Sequence, residues 1–344
     1  GAFASVIGII TGFPTEPNKV VATECVDVDD DAYIDGRVAK AAVERLGVLA
    51  AGEQPFFLAV GFRRPHLPFS APKKYWDMQH PERIGVIANP LPPVDVPQIA
   101  LHPWTELRGY CDIPDLGDLT PDQVVHLRHG YYAAISYADA QVGRVLNELQ
   151  RTGRDRDTVV CLWGDHGWHL GEHGLWGKTT NFELDTRSPL IFRTPEHASP
   201  GSRTEGLTEF TDIYPTLVDL CGLPPADGLD GVSLAPVLAD PTRTVHDVAL
   251  SQFPRPGRMG YSLRTDRWRY TEWIDSSTGE PRERELYDHM LDDRESVNLA
   301  GHADQQPLIR ELGERLHAMI EPYGSPLPDA RAGGLGIMTE RIQA

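Results

Sequence analysis

The sequence predicts an α/β fold: a mostly parallel sheet flanked by helices, with a smaller C-terminal antiparallel sheet plus helix. Three observations carry this expectation. Short, continuous apolar runs at residues 55–61 and 158–163 are bounded by turn formers, the pattern of strands covered on both faces. Stretches of helical period lie between such runs, as in strand, crossover helix, strand units. Past about residue 240 the texture changes to short alternating pieces. A chain of 344 residues can hold one large core and an appended unit, so the expected domains are 1–240 and 241–344.

Each element follows from its residues. The opening residues 1–10 are apolar but too short and unflanked for a signal or membrane segment, so they read as a strand or loop entered from upstream sequence. Residues 35–49 place Val38, Ala42, Leu46 and Leu49 on one helical stripe before the turn at Gly52. The run at 55–61 predicts a buried strand, and the proline-rich passage from Arg63 to about Thr120 a long loop of the kind that usually has a function. Residues 131–149 keep Tyr131, Ala134, Ile135, Ala138, Val142, Val145, Leu146 and Leu149 on one face, with Gly153 as the stop. The β-rich runs at 158–163 and 189–192 then predict two parallel strands joined by a crossover. Residues 211–220 form a helix ended by Gly222, and 260–265 and 266–273 pieces of an antiparallel sheet. Residues 307–320 form a terminal helix with Leu308, Leu312, Leu316 and Ile320 in register.

Charge narrows the function. Lysine and arginine total 32 against 50 aspartates and glutamates, a net charge of −18, which repels a nucleic-acid backbone. Such a chain binds an anion only where a few cations and a metal converge in one cleft. Cys25, Cys111, Cys161 and Cys221 show no C-x-x-C spacing, so neither a zinc ribbon nor a disulfide scaffold is indicated. No run of 18 apolar residues occurs, so no membrane partner is expected.

In an open α/β sheet, ligands bind beyond the carboxyl ends of the strands. Two polar segments occupy such positions. One is Gly61-Phe-Arg-Arg-Pro-His66-Leu-Pro-Phe69; the other runs from Gly164 through Asp165, His166, Trp168, His169, Glu172 and His173 to Lys178. Asp165 follows its strand with only Gly164 between, and a lone carboxylate there calls for a cation. Asp165 and His166 offer an oxygen and a nitrogen to a divalent ion but leave most of its shell to other groups. Taken in isolation, Asp-His-Gly also suits an ordinary strand-ending turn, His66 a cap on a proline-rich turn, and Lys178 a solvated lysine. The pattern His169-Leu-Gly-Glu-His173 matches the inverted zinc-peptidase motif, which works only on a helix, and Gly167, Gly171 and Gly174 make a helix unfavourable.

The two segments resemble those of sulfatases in the alkaline-phosphatase superfamily, nearest the iduronate-2-sulfatase branch. Tyr137-Ala-Asp-Ala-Gln-Val-Gly-Arg144, Thr211-Asp-Ile-Tyr-Pro-Thr-Leu217, Gly228-Leu-Asp-Gly-Val-Ser-Leu234, Ser251-Gln-Phe-Pro-Arg-Pro256 and Met259-Gly-Tyr-Ser-Leu-Arg264 extend the likeness in the family order. The resemblance implies hydrolysis of sulfate esters of sugars, as in glycosaminoglycan degradation, with one calcium ion held by Asp165 and His166. It implies His66 and Lys178 as catalytic groups at the sulfate, with Trp168 and His173 as further substrate contacts. It also implies a periplasmic, secreted or lysosomal setting, although composition alone leaves the compartment open.

The family nucleophile is a cysteine in C-x-P-S-R, oxidised to formylglycine. The four cysteines here begin Cys25-Val-Asp-Val, Cys111-Asp-Ile-Pro, Cys161-Leu-Trp-Gly and Cys221-Gly-Leu-Pro, none of which matches. Asp29-Asp-Asp31 reads as acids leading a helix, not as the family's metal-binding pair. The expectation is that region 1–240 is an incomplete catalytic domain, that the formylglycine belongs to an upstream segment or companion N-terminal chain, and that this chain alone is inactive. Two alternatives stand beside it: a phosphate or phosphonate monoester hydrolase of the same superfamily, and a non-catalytic binder of sulfated glycans.

Overall fold

The computed structural model describes residues 20–195 and 200–323, so the expectation for residues 1–10 lies outside the described residues. The chain forms two units, one of residues up to Ala88 with Trp104–Val159, the other of Asn89–Pro103 with residues from Val160 onward. The boundary expected at residue 240 falls inside the second unit.

In the first unit, β1 (Thr23–Val26), α1 (Ile34–Ala50), β2 (Phe69–Pro72), α2 (Lys73–Met78) and α3 (Pro121–Arg151) follow in order. β1 and β2 pair in parallel from Thr23 opposite Phe69 to Val26 opposite Pro72. The α1 stripe is the expected one, with Ala42 and Leu46 buried. α3 begins ten residues before the expected 131. Thr120 accepts from the Gln123 amide while the Gln123 side chain accepts from the Thr120 amide, and Pro121 occupies the first turn. Ala71, Tyr75 and Trp76 pack against Ala133 and Tyr137 of α3. Among the described residues, 56–60 belong to no strand, and Phe57 is 64% exposed. The expected doubly covered strand is therefore not formed, because one of its faces is open.

In the second unit, β3 (Val160–Trp163), the short hairpin β4 (His169–Leu170) and β5 (Trp176–Gly177), α4 (Glu183–Thr186) and β6 (Leu190–Arg193) come first. α5 (Ile213–Leu220) and α6 (Ala235–Ala239) follow. β3 and β6 pair antiparallel, with Trp163 opposite Leu190, which corrects the expected parallel pair. A parallel return needs a crossover long enough to carry the chain back along the strand, usually a full helix. Here the connection is spent on the β4–β5 hairpin and a four-residue helix, so the chain re-enters at the end it left.

The expected antiparallel sheet is a meander of β7 (Ala249–Arg255), β8 (Arg258–Arg264), β9 (Trp268–Asp275) and β10 (Pro281–Asp288), followed by α7 (Gln306–Ile320). Leu312 and Leu316 of α7 join Leu263, Tyr270 and Leu286 in one buried cluster. Burying a leucine side chain contributes about 1.5–3 kcal/mol, so this helix is held by packing more than by propensity. Among the described residues no helix is long and apolar enough to cross a membrane.

Candidate active site

β3 ends at Trp163 and delivers Gly164 and Asp165 to a loop. The Asp165 side chain is 86% exposed, and its Oδ2 lies 3.5 Å from His166 Nε2. His166 Nδ1 is 2.7 Å from the Gly167 carbonyl oxygen, to which it donates as an N–H. The neutral ring then keeps its lone pair on Nε2, beside the Asp165 carboxylate. One hard oxygen and one imidazole nitrogen thus face a common space, a donor set that fits part of a divalent shell; calcium takes about six to eight ligands, so others must join.

The same loop returns a cation. The His166 ring stacks on Trp168 at 6.2 Å with 28° between planes. Lys178 Nζ lies 4.6 Å from the centre of the Trp168 ring. Asp165, His166, Trp168 and Lys178 therefore form one run of contacts, with the indole as a platform for the ammonium. The flank of Lys178 is pinned by Arg255, which donates to Thr179 O at 2.7 Å, and by Asn181, which donates to Gly260 O at 3.1 Å.

His173 is placed differently. It is 1% exposed, with Nε2 2.7 Å from Arg294 O and Nδ1 3.3 Å from His169 Nε2. Burial holds its ring below the ordinary histidine range. In this position it braces the loop from within rather than facing solvent. Positive φ at Gly171, His173 and Gly174 breaks residues 169–173 into a strand end and a turn, so the zinc-peptidase helix does not form.

His66 belongs to the first unit. Its Nδ1 lies 2.7 Å from Leu67 O and its Nε2 2.9 Å from Glu106 Oε1. The turn is held from beneath by Asp35, 1% exposed, whose carboxylate accepts from the amides of Arg63 and Arg64 at 2.9 and 2.8 Å. Arg64 in turn donates to His66 O at 2.7 Å and Ser70 O at 3.0 Å, and burial pushes its guanidinium below its usual range. The segment is thus rigid at the residue that carries the imidazole.

Sequence reasoning missed three acids that brace the candidate segments: Asp35 holds the Arg63–Arg64 turn, Glu106 pairs with His66, and Asp185 bonds His169 and Thr180. Asp35 carried one available signal, as an acid at the start of a helix beside a two-arginine turn. Glu183, His289 and Glu295 also have ligand atoms within 4.8 Å of one another. Arg264 and Arg269 already pair with Glu183, and Arg269 with Glu295 at 2.7 Å, so cationic charge is supplied there by side chains.

Comparison with solved structures gives the class first. The chain superposes on a protein solved with its substrate D-glucosamine-2-N,6-O-disulfate, with a TM-score of 0.70 at 21% identity over 86% of this chain and 71% of that one. A phosphonate monoester hydrolase from Silicibacter pomeroyi gives 0.73 at 23% identity, covering 87% and 62%. The fold is an alkaline-phosphatase-like α/β fold with a C-terminal antiparallel sheet. The sulfatase family model matches residues 6–223, and the C-terminal model of N-sulphoglucosamine sulphohydrolase matches 171–322. The chain belongs to the sulfatase family. Iduronate 2-sulfatases of Mus musculus and Homo sapiens are both 30% identical to it, over 323 and 325 residues, 75% of this chain. A choline-sulfatase of Rhizobium meliloti is 31% identical over 337 residues, covering 91% of this chain and 62% of its own length. The chain spans 58% and 59% of the two iduronate 2-sulfatases.

Proposed function

We propose that this chain supplies the metal- and sulfate-binding half of an enzyme that hydrolyses sulfate esters of sugars, with a 2-O-sulfated uronate as the first substrate to try. The observation that carries the reading is the run Asp165–His166–Trp168–Lys178 on one loop, in a chain of the sulfatase family. Its likeness to the iduronate 2-sulfatases motivates the choice of sugar.

Asp165 and His166 are the residues that hold a calcium ion; when bound, it supplies positive charge against the sulfate oxygens. Lys178 adds a second cation, held in place by the Trp168 face so that little reorganisation is needed as charge develops. His66 donates Nδ1–H to Leu67 O, which leaves Nε2 to exchange a proton with the leaving oxygen. Glu106 Oε1, 2.9 Å from Nε2, holds the ring in its orientation. The nucleophile is a formylglycine in a C-x-P-S-R segment, a motif absent from these 344 residues.

The phosphonate monoester hydrolase likeness supports a second reading, transfer of a phosphoryl rather than a sulfuryl group, since the two groups share shape and charge distribution. Assay of the protein with its C-x-P-S-R segment, on aryl sulfate and aryl phosphonate in parallel, separates the two. Preference for the sulfate is the expected result, and loss of turnover in Asp165→Asn assigns the loop. Preference for the phosphonate replaces the reading, and binding of sulfated sugar without turnover of either ester makes the protein a glycan binder.

A further inference from the structure

We propose that Asp185 is a positioning residue for the segment bearing Asp165, His166 and Lys178, acting as a buried carboxylate clasp on both ends of that segment. The inference rests on the assignment of this loop as the active site and adds to it a residue that works through its neighbours.

Asp185 lies on α4 and is 5% exposed. Its Oδ1 is 2.8 Å from His169 Nδ1, and its Oδ2 accepts from the Thr180 amide at 2.9 Å and the Thr180 hydroxyl at 2.6 Å. Its main-chain oxygen accepts from the Gly167 amide at 2.8 Å. Gly167 adjoins His166, and Thr180 stands two residues past Lys178. One residue therefore anchors the chain on the inner side of the proposed metal ligands and on the outer side of the proposed sulfate contact. The approach at Gly167 is close enough to require glycine, because a Cβ there would lie 1.8 Å from Leu184 O.

Donor counting fixes the charge of the clasp. An ionised carboxylate only accepts, and three donors converge on this one. Burial pushes the Asp185 carboxyl up, but attraction to His169 and the Thr180 bonds more than offset it and hold it below the usual carboxylate range. Arg255 adds a further attraction. On the far side, His173 Nε2 must carry its proton to reach Arg294 O, so in the neutral ring Nδ1 accepts. His169 Nδ1 donates to Asp185 Oδ1 while its Nε2 lies 3.3 Å from His173 Nδ1, so the ring is fixed between the carboxylate and a second histidine. Removing one member of such a buried pair leaves the other uncompensated, so the clasp has one stable arrangement.

The test uses Asp185→Asn and the milder Thr180→Val in the intact protein. Asparagine has a single acceptor oxygen and cannot serve both His169 and Thr180. Nitrogen NMR of the His169 ring should show the proton on Nδ1, hydrogen-bonded to the carboxylate, in the wild type, and that signal shifted in Asp185→Asn. Amide exchange at Gly167 and Thr180 should accelerate at least about tenfold in Asp185→Asn with the global unfolding transition retained, and less at Thr180 in Thr180→Val. Turnover should fall about 10–100-fold in kcat with KM little changed. A wild-type His169 whose Nδ1 carries no proton, or unchanged exchange at both amides in either variant, overturns the clasp. Faster exchange with undiminished kcat overturns the positioning role. If the wild type turns over neither ester, only the sulfatase reading falls, and the ring and exchange measurements still decide the clasp.

Discussion

Lys178 Nζ lies 4.6 Å from the Trp168 ring centre, and under the proposed function the ammonium meets the sulfate while the indole holds it in place. Lys178→Ala should lower kcat on an aryl sulfate by about 100-fold or more, the usual loss when a group aimed at developing charge is removed. Trp168→Ala should cost only about tenfold, because the ammonium remains but loses its platform. Equal losses, read from kcat at saturating substrate in the intact protein, would remove the distinction. A second residue-scale prediction concerns Glu285, buried in β10 and accepting from Trp273 Nε1 and the Tyr287 hydroxyl, each at 2.8 Å. Burial pushes its carboxyl up to about 7, from an ordinary value of 4.5, against those two bonds. The folded state thus keeps a proton that the unfolded state releases, so stability is highest below pH 4.5 and falls as pH rises to about 7. The fall is on the order of 3 kcal/mol. Glu183, Asp185 and Glu295 are held below the usual range and act in the opposite sense, so the readout is a difference. Glu285→Gln should gain stability relative to the wild type between about pH 5 and pH 8 in urea unfolding, and parallel curves would refute the assignment.

At the scale of elements, α3 tests how far local signals set a long helix. Thr120→Ala breaks the reciprocal cap with Gln123 and should cost about 1 kcal/mol. Gly130→Ala should cost more, about 1–3 kcal/mol, because a Cβ there would lie 2.9 Å from the Trp76 ring and 3.2 Å from Phe69 and Thr23 side chains. Urea unfolding of both variants checks the order, and a stabilised Gly130→Ala would show that the neighbours yield. The cap was legible in Thr120-Pro-Asp-Gln123, and Val124 and Leu127 extend the stripe of Tyr131 and Ala134 back toward it; His126, Arg128 and His129 between them weaken that stretch, so the stronger period starts at 131. α1, α7 and the C-terminal meander were legible for the complementary reason, an uninterrupted period of 3.6 or 2. Strand direction was not legible. The runs at β3 and β6 look alike either way, and only the folding of the intervening residues into a hairpin sets them antiparallel. The same limit applies to the site. Gly-bounded Asp165, His166 and Lys178 could be read along the chain, whereas Asp35, Glu106 and Asp185 acquire meaning only when backbone amides and rings from other segments reach them.

For the whole molecule, the question is which part of the chemistry 344 residues at 58% and 59% of their iduronate 2-sulfatase relatives' length can perform. The residues proposed for the site would stabilise charge or move a proton; none is proposed to attack sulfur. Each of the four cysteines stands outside a C-x-P-S-R sequence, so none is a substrate for formylglycine formation. Charge stabilisation without an attacking group lowers the barrier of a step that cannot begin, because covalent catalysis needs the nucleophile in place. Incubated with a chromogenic aryl sulfate, this polypeptide should therefore release no more than one equivalent per chain. Steady release beyond that would locate a nucleophile within it. This chain joined to or complemented by a segment bearing C-x-P-S-R should turn over continuously and lose that turnover in Asp165→Asn. Activity that appears only with the added segment and vanishes with the carboxylate would divide the reaction between bond-breaking residues in one stretch of sequence and charge-bearing residues in the other.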